Sequence, residues 1–186
     1  QKEEIAYFQL AAQSLALAQE PAKYGNYAPI SCPNGVHAFA RDFNLTSLVW
    51  SNQEGYPADP NYREFYRDIG YDLPLDYIGP YIHEPEVRVF TGFKYHAITG
   101  KGDQKNIYRP ELAARKVLEH TENFLYEVEK KGRKLAPLID RDPFYTLAFD
   151  TELFGHWWFE GIAWLESLLR KADQGESVVF ETPTDY

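Results

Sequence analysis

The segment FYTLAFDTELFGHWWFEG, Phe144 to Gly161, is the most informative part of the sequence about the fold. Its first six residues, Phe144 to Phe149, form a largely apolar, aromatic-rich run, which predicts a buried parallel strand covered on both faces. Asp150 follows where that strand should end. In barrels of alternating strands and helices, reactive side chains lie at the C-terminal ends of strands. Asp150 is therefore the first candidate for chemistry.

The residues after Asp150 combine acids, an imidazole and indoles: Glu152, His156, Trp157, Trp158 and Glu160. Carbohydrate sites need this mixture, because carboxyls transfer protons and flat aromatic faces stack on sugar C–H groups. The structural alternative is an Asp150 that caps a helix whose aromatic face packs into the core. A purely structural helix start rarely needs two adjacent tryptophans beside a histidine and three acids, so the set favours a carbohydrate site.

Composition limits the class of partner. With 186 residues, 44% of them hydrophobic, the chain can form one globular domain. Its 28 acidic and 19 basic side chains give a net charge of −9, which argues against nucleic acid, because phosphate binding requires clustered Lys and Arg. An aromatic content of 16% suits a neutral, hydroxyl-rich ligand. The start at Gln1 and the absence of methionine suggest a processed segment, incomplete at both ends.

The single cysteine, Cys32, excludes an intramolecular disulfide framework and fits a reducing compartment. No motif surrounds it, so we expect a loop or buried thiol rather than a nucleophile. Nothing in the sequence resembles a signal peptide or an apolar run of the roughly 20 residues that span a bilayer. These observations predict a cytoplasmic protein with no membrane partner, and they leave the oligomeric state unknown.

Two long helices stand out. Residues Pro110 to Lys131 begin with proline and precede Gly132, and residues Gly161 to Ala172 precede Gly175. The predicted buried positions of the first are Ala114, Val117, Leu118, Thr121, Phe124, Leu125 and Val128. Those of the second are Ile162, Leu165, Leu168 and Leu169. Besides the central strand, short runs predict strands at Tyr7–Leu10, Val87–Thr91, Lys134–Ile139 and Val178–Glu181.

Strands that alternate with helices predict an α/β fold, with a parallel sheet or part of a barrel, in a single unit covering residues 1–186. Some segments are ambiguous: Phe39–Asp42 fits a helix start, Ser47–Trp50 fits a short strand, and Asn61 fits the cap of a helix at Tyr62–Ile69. The turn-rich segment Lys23–Gly35 predicts a loop over a pocket.

Two further regions hold candidate ligand contacts. A loop bearing Tyr56 and Tyr62 either closes over a ligand or packs its tyrosines underneath. At the end of the strand predicted at Val87–Thr91, Arg88, Lys94 and His96 can point donors into a pocket. A lone histidine is more often structural.

Several long motifs resemble glycoside hydrolase family 57, in its 1,4-alpha-glucan branching enzyme branch. The motifs are FDTELFGHWWFEG, YGNYAPI, VWSNQEGYPADPNYREFYRDIGYDL, RVFTGFKYHAITG and ETPTDY, and the likeness runs from Tyr7 to Tyr186. The resemblance implies part of a (β/α)7 barrel, the C-terminal portion of the catalytic barrel. It also implies a retaining double displacement on α-1,4-glucan, transfer of the cut chain to a 6-hydroxyl, and no metal or cofactor.

By position in these motifs, the resemblance implies that Asp150 is the acid/base. The neighbouring Phe149 and Trp157 would favour its protonated form by supplying a hydrophobic setting. Tyr56 and Tyr62 fall in what corresponds to a mobile loop covering the site. The residues expected near the substrate are Arg88, His96, His156, Trp157 and Trp158.

The expected nucleophile is the main departure from the family pattern. Aligned from YGNYAPI, the glutamate nucleophile falls at Ala11 and a histidine two residues later falls at Gln13. A methyl group cannot form a glycosyl ester. This leaves two main hypotheses open, an α-glucan branching enzyme or related glucanotransferase, and a degenerate homologue that binds α-glucan without cleaving it. A third, a metal-dependent hydrolase using Asp150, Glu152 and His156, lacks a metal-binding pattern such as HExxH.

Overall fold

The computed structural model describes residues 5–175 and 177–186. Within these residues there are three strands: β1 (Tyr7–Leu10), β2 (Ile30–Ser31) and β3 (His37–Ala40). The α-helices are α1 (Ala12–Ala16), α2 (Phe43–Trp50), α3 (Ile69–Asp72), α4 (Leu75–Ile78), α5 (Pro110–Leu135) and α6 (Gly161–Gln174). Short 3-10 helices lie at Tyr56–Ala58, Gly79–Tyr81 and Thr151–Leu153.

The strands form one sheet in the order β1-β3-β2. β1 runs parallel to β3, with Tyr7 opposite His37 and Leu10 opposite Ala40, whereas β2 is antiparallel to β3. The strand predicted at Tyr7–Leu10 is confirmed. Among the described residues, however, no strands alternate with the two long helices, so that part of the predicted pattern is wrong.

The prediction of a strand at Phe144–Phe149 is wrong. This segment is extended but makes one parallel bridge, between Thr146 and Arg41, where the Asp42 N–H donates to the Thr146 carbonyl oxygen at 2.9 Å. Two residues earlier, the Phe144 N–H donates to the Tyr27 carbonyl oxygen at 2.9 Å. The backbone hydrogen bonds therefore go to two different segments and no continuous ladder forms.

The predictions for Phe39–Asp42 and Ser47–Trp50 are reversed. Residues 37–40 form β3, and residues 43–50 form α2. The cause is Asp42, which is fully buried and whose Oδ1 accepts the Leu45 N–H at 2.9 Å. An aspartate that caps in this way starts a helix directly after it.

The predicted helix at Tyr62–Ile69 is also wrong. Residues 62–68 form a loop, and Asp68, not Asn61, caps the next helix by accepting the Gly70 N–H at 2.9 Å. Gly70 is required there, because a Cβ at this position would lie 2.0 Å from the Val89 carbonyl oxygen.

Three further strand predictions are wrong. Lys134 lies in the last turn of α5, and the segments 87–91 and 178–181 are irregular rather than strands. In the segment 87–91, the Thr91 N–H donates to the Asp68 carboxylate instead of to a neighbouring strand. Short apolar runs predict strands poorly when side chains compete for the backbone donors.

Both long helices are confirmed, but their buried faces differ from the prediction. Helix α5 continues past Gly132 to Leu135, and α6 ends just before Gly175. The buried residues of α5 are Ala113, Val117, Thr121, Phe124, Val128 and Leu135. Those of α6 are Gly161, Trp164, Leu168 and Ala172. The predicted core positions Ala114, Leu118, Ile162 and Leu169 are exposed.

The chain divides into two compact units. Unit 1 comprises residues 1–50, 122–149 and 168–186, and unit 2 comprises residues 51–121 and 150–167. In unit 1, Phe39 makes edge contacts with Tyr7 and Phe144, and Asp42 pairs with Lys131. The core of unit 2 is described with the site. That the whole chain acts as a single unit stays a prediction.

Candidate functional site

Asp150 presents an exposed carboxyl. The residue occupies the N-cap position of the 3-10 helix Thr151–Leu153, but its side chain makes no capping hydrogen bond. The Leu153 N–H is satisfied by the Asp150 backbone oxygen at 3.0 Å. The alternative of a capping side chain is therefore wrong, and the carboxyl is accessible to a ligand.

The loop after Asp150 is closed by backbone hydrogen bonds. The Trp158 N–H donates to the Leu153 oxygen at 2.8 Å, and the Gly155 N–H donates to the Trp158 oxygen at 2.9 Å. Gly155 has φ of +91°, which a residue with a side chain rarely adopts. This tight closure fixes the directions in which the two tryptophans leave the backbone.

The adjacent tryptophans point to different environments. Trp158 is 2% exposed and packs with Tyr62, Phe154 and Trp164 at centroid distances of 5.8, 6.3 and 5.4 Å. Trp157 is 46% exposed, and its Nε1 donates to Glu152 Oε1 at 3.2 Å. Of the two tryptophans, Trp157 is the one that presents an open surface.

An aromatic group surrounds Trp157. The Phe65 ring lies 4.4 Å from the Trp157 ring at an interplanar angle of 33°. The His156 ring meets both at steep angles, 5.4 Å from Phe65 and 5.2 Å from Trp157. The structure thus brings His156 and Trp157 together, as the sequence predicted, and adds Phe65, which the sequence did not single out. The aromatic spacing of YREFYRD is a signal for Phe65, but the same spacing fits an ordinary surface loop.

Tyr56 and Tyr62 are buried in unit 2 around His120. The Tyr56 ring stacks on His120 at 4.5 Å, and the Tyr62 hydroxyl lies 2.8 Å from His120 Nδ1. On the other side, His120 Nε2 lies 3.6 Å from Asp59 Oδ2. Burial raises the pKa of Tyr62 and lowers the pKa of His120. This packing matches the structural alternative for the two tyrosines, and a covering role for their loop stays a prediction.

Arg88 and Lys94 donate to the backbone of unit 2. One Arg88 guanidinium nitrogen donates to the Gly70 and Leu73 carbonyl oxygens at 2.7 and 2.9 Å. The Lys94 ammonium donates to the Phe65 carbonyl oxygen and lies 3.7 Å from Asp68 Oδ2. Both donors join segments of the fold rather than pointing freely outward, so substrate contact by Arg88 stays a prediction.

His96 is mostly buried beside an acid. Its Nδ1 lies 3.5 Å from Asp72 Oδ2, and Asp72 Oδ1 accepts from Arg67 Nε at 2.6 Å. The His96 ring also lies 4.3 Å from the Tyr95 ring. This environment is the structural one expected for a lone histidine, and a role at the substrate stays a prediction.

Asp68 is a fully buried acid that the sequence analysis did not identify. Its carboxylate accepts from the N–H groups of Gly70, Thr91 and Gly92 and from the Thr91 hydroxyl, all within 3.0 Å. Burial alone would raise the pKa of Asp68, but these hydrogen bonds outweigh it and the pKa is lowered. Asp68 is therefore an anion in the folded protein, and its hydrogen bonds hold the segment 91–94 in place.

Glu160 is another buried acid of unit 2. Its Oε1 accepts the Arg63 N–H at 3.0 Å. Burial raises the pKa of the Glu160 carboxyl, although hydrogen bonds from Tyr108 and Arg63 oppose the shift. Glu160 thus belongs to the core, unlike Asp150, and its part in the predicted mixture of acids is structural.

Ala11 directly follows β1. It is exposed, precedes α1 at its N-cap position and offers no side-chain hydrogen bond. In a barrel, reactive side chains lie at the C-terminal ends of parallel strands. Ala11 therefore occupies a position where a nucleophile is expected, but its methyl group cannot act as one. A cavity of about 390 Å³ begins at the next residue, Ala12. Its walls include Tyr27 and the Lys131–Asp42 pair. Of the loop predicted at Lys23–Gly35, Gly25 to Tyr27 line this cavity, whereas Ile30–Ser31 form β2.

Comparison with known proteins identifies the family type. No family model matches the chain. A probable 1,4-alpha-glucan branching enzyme of Mycobacterium tuberculosis is 37% identical over 138 residues, 73% of this chain and 23% of that protein. The solved branching enzyme of glycoside hydrolase family 57 from Pyrococcus horikoshii matches with a TM-score of 0.72 and 30% identity over 91% of this chain. The chain is of the glycoside hydrolase family 57 type.

A third match is the alpha-amylase AmyC of Thermotoga maritima, with a TM-score of 0.89 and 42% identity over 96% of this chain. These matches confirm the predicted fold class, part of a (β/α)7 barrel of the family 57 type. The chain spans 35% of the AmyC chain, 28% of the Pyrococcus chain and 23% of the Mycobacterium protein.

The described part of this family 57 chain carries neither a metal-binding cluster nor a membrane-spanning helix. Within residues 5–175 and 177–186, three or more His, Cys, Asp or Glu side chains nowhere form a group that could hold a metal ion. Among the described helices, none combines the length and apolar character needed to cross a membrane.

Proposed function

We propose that the chain is part of an α-glucan-active retaining enzyme, a 1,4-alpha-glucan branching enzyme that cuts an α-1,4 chain and transfers it to a 6-hydroxyl. The observation that carries the proposal is the exposed carboxyl of Asp150, which makes no capping hydrogen bond. The same segment also presents the half-exposed indole of Trp157. The names of the Mycobacterium and Pyrococcus relatives support the same substrate class.

In this proposal Asp150 is the acid/base. As an acid it protonates the leaving glycosidic oxygen, and as a base it then removes the proton of the acceptor 6-hydroxyl. The carboxylate left by the first step is the base for the second, so Asp150 regains its proton from the acceptor hydroxyl and no net proton is consumed. Trp157 offers an aromatic face to a glucose ring, and the other predicted contacts that keep some exposure are Arg88, His96 and His156. The predicted contacts Tyr56, Tyr62 and Trp158 are buried, so they would act by supporting the site rather than by touching the sugar.

A retaining mechanism needs a second carboxyl about 5–5.5 Å from the first. Ala11 cannot supply it. In the relatives most of the sequence lies outside the match, so this carboxyl can come from a region that the match does not include. The degenerate homologue that only binds α-glucan is the alternative that Ala11 and Gln13 motivate.

Hydrolysis is a second candidate, favoured by the match to a protein named as an alpha-amylase at 42% identity. The two reactions share the first step and differ in the acceptor, which is water in one and a sugar hydroxyl in the other. Exclusion of water from the site decides between them.

The proposed setting is the cytoplasm, in the synthesis of a glycogen-like polysaccharide, without metal or cofactor. The single Cys32, which fits a reducing compartment, supports the location. The partner would be a neutral α-1,4-glucan such as amylose, which suits a chain of net charge −9 whose exposed candidate site is aromatic.

The test uses the full-length protein with amylose. Loss of iodine staining with new α-1,6 linkages and few new reducing ends supports branching. Loss of staining with many reducing ends supports hydrolysis, and binding without turnover supports the degenerate alternative. Should an inactive protein gain activity from Ala11→Glu, the alignment of the nucleophile at Ala11 would be supported. A normally active protein would show that the nucleophile lies elsewhere.

A further inference from the structure

We propose that Phe65 is a positioning residue that, together with Glu152, holds the Trp157 indole as a fixed stacking surface for a glucose ring. The inference deepens the proposed function and rests on it. It assigns a role to a residue outside the FDTELFGHWWFEG motif, on a loop 92 positions earlier in the sequence.

Trp157 is fixed along its edge and on one side. Its backbone N–H donates to the Glu152 carbonyl oxygen at 3.3 Å, and its indole N–H donates to the Glu152 carboxylate at 3.2 Å. The Phe65 ring covers one side at 4.4 Å. With 46% of its surface exposed, the indole keeps an open side in a defined orientation.

Phe65 is in turn fixed by a connected set of contacts. The Lys94 ammonium lies 5.1 Å from the Phe65 ring centroid and donates to the Phe65 carbonyl oxygen. Lys94 also lies 3.7 Å from Asp68, the buried anion, and donates to the Arg67 carbonyl oxygen at 3.4 Å. Rigid core contacts therefore continue, through Lys94 and Phe65, to the exposed indole.

Two more rings limit the freedom of Phe65. The Tyr66 ring meets it at 90° and 5.1 Å, and the His156 ring meets it at 79° and 5.4 Å. A ring enclosed on several sides cannot swing away from Trp157 without breaking these contacts. The arrangement preorganises the indole, which lowers the entropy lost when a ligand binds.

The chemistry of the surface favours a neutral sugar. The nearby Lys94 ammonium forms an ion pair with Asp68. The Glu152 carboxylate already accepts a hydrogen bond from the Trp157 indole N–H. The exposed part of Trp157 is aromatic surface, which binds the C–H groups of a pyranose ring without requiring charge. The neighbouring Trp158 has no comparable open face, because it is 2% exposed.

A merely structural Phe65 would support the fold without affecting a ligand at Trp157. The two roles differ in whether the effects of Phe65 and Trp157 on glucan binding are coupled. The experiment therefore measures the dissociation constant of maltoheptaose for full-length protein carrying Asp150→Asn, so that turnover does not interfere. Thermal unfolding of each variant is recorded alongside.

We expect Phe65→Leu to raise the dissociation constant about 3- to 10-fold, from the usual strength of an aromatic pair. Phe65→Tyr keeps the ring and should stay within about 2-fold of the parent. Phe93→Leu is the matched control, an exposed phenylalanine of the same unit, and should also change binding by less than about 2-fold. Adding Phe65→Leu to Trp157→Ala should weaken binding no further, because the indole it positions is gone.

Two results would overturn the inference while leaving the proposed function intact: binding that is unchanged in Phe65→Leu, or a full additional loss when Phe65→Leu is added to Trp157→Ala. A parent protein that does not bind maltoheptaose would instead contradict the proposed function. If Phe65→Leu does not fold, Glu152→Leu provides the second test. It alters an exposed residue and should still weaken binding about 2- to 5-fold, by freeing the indole N–H.

Discussion

Asp68 and Asp150 lie in the same unit and have opposite environments. Asp68 is fully buried and accepts hydrogen bonds from Gly70, Thr91 and Gly92, with Lys94 close by. Asp150 is exposed and makes no capping hydrogen bond, although it occupies an N-cap position. The first carboxylate is committed to the fold, and the second is available to a ligand. Residue type alone does not distinguish the two roles, whereas the hydrogen-bond partners do.

The largest expected effect is on activity at Asp150. Replacing Asp150 by Asn in full-length protein should lower turnover of amylose about 10²- to 10⁴-fold, because general acid–base catalysis typically contributes that much. The free energy of unfolding should change by less than about 0.5 kcal/mol, since the carboxyl is exposed and makes no cap. Iodine-stain kinetics and urea unfolding measure the two quantities. Normal activity would remove the acid/base assignment.

The two adjacent tryptophans should differ strongly in stability. Trp158→Ala should lower the free energy of unfolding by about 3–5 kcal/mol, because it removes a buried ring from the core formed with Tyr62 and Trp164. Trp157→Ala should cost less than about 1.5 kcal/mol, because its indole is half exposed and its ring contacts with Phe65 and His156 lie at the surface. Equal losses in urea unfolding would contradict the difference in burial between the two indoles.

Asp68→Asn tests the structural member of the pair of acids. An amide cannot accept all four hydrogen bonds and leaves Lys94 without its anion, so the free energy of unfolding should fall by about 2–4 kcal/mol. Because the pKa of Asp68 is lowered in the folded protein, its contribution is present above the unfolded pKa and is lost as pH falls through the lower folded pKa. The stability difference from the parent should therefore shrink in acid, below about pH 4. A difference that stays constant at acidic pH contradicts this account.

The smallest expected effect is the pH dependence at His120. Burial lowers the pKa of His120 in the folded protein, against the opposing effects of Asp59 and Glu119, while Lys116 adds to the lowering. The unfolded chain therefore binds a proton more readily, and stability is lost as pH falls below about 6.5. His120→Gln should remove this component between about pH 7.5 and 5. Thermal melting of the parent and of His120→Gln at several pH values would measure this component. Identical dependence of the melting temperature on pH in the two proteins would contradict the prediction.

The long helices and the fold class could be predicted from the sequence because their signals are local or extended. Helix α5 combines Pro110 at its first position with a repeating apolar face, and the family motifs span most of the chain. The exact buried face was less predictable. In α5 Ala113 is buried instead of the predicted Ala114, and in α6 Trp164 is buried whereas the predicted Leu169 is exposed. Each helix has two overlapping rows of apolar residues, and tertiary contacts select the row that is buried.

The short strands could not be predicted because their backbone partners are far away in sequence. Phe144 and Thr146 bond to two separate segments, and the N–H of Thr91 goes to a carboxylate 23 residues earlier. Runs of about four to six residues do not specify which of these partners prevails.

The candidate site was predictable in its residue types but not in their exposure. The sequence placed Asp150, His156 and Trp157 in one segment, and the structure leaves all three exposed. It could not separate Trp157 from Trp158, or Asp150 from Glu160, since burial depends on a loop closed through Gly155. Phe65 and His120 were missed because their partners lie on other segments.

The acid/base role of Asp150 is tested most directly by varying the leaving group. Full-length protein and its Asp150→Asn variant are compared on maltoheptaose, whose leaving oxygen needs a proton, and on α-maltotriosyl fluoride, whose fluoride leaves without one. We predict that the variant loses about 10²- to 10⁴-fold in formation of the glycosyl-enzyme from maltoheptaose but less than about 10-fold from the fluoride. An equal loss on both substrates, or no loss on either, would contradict the account.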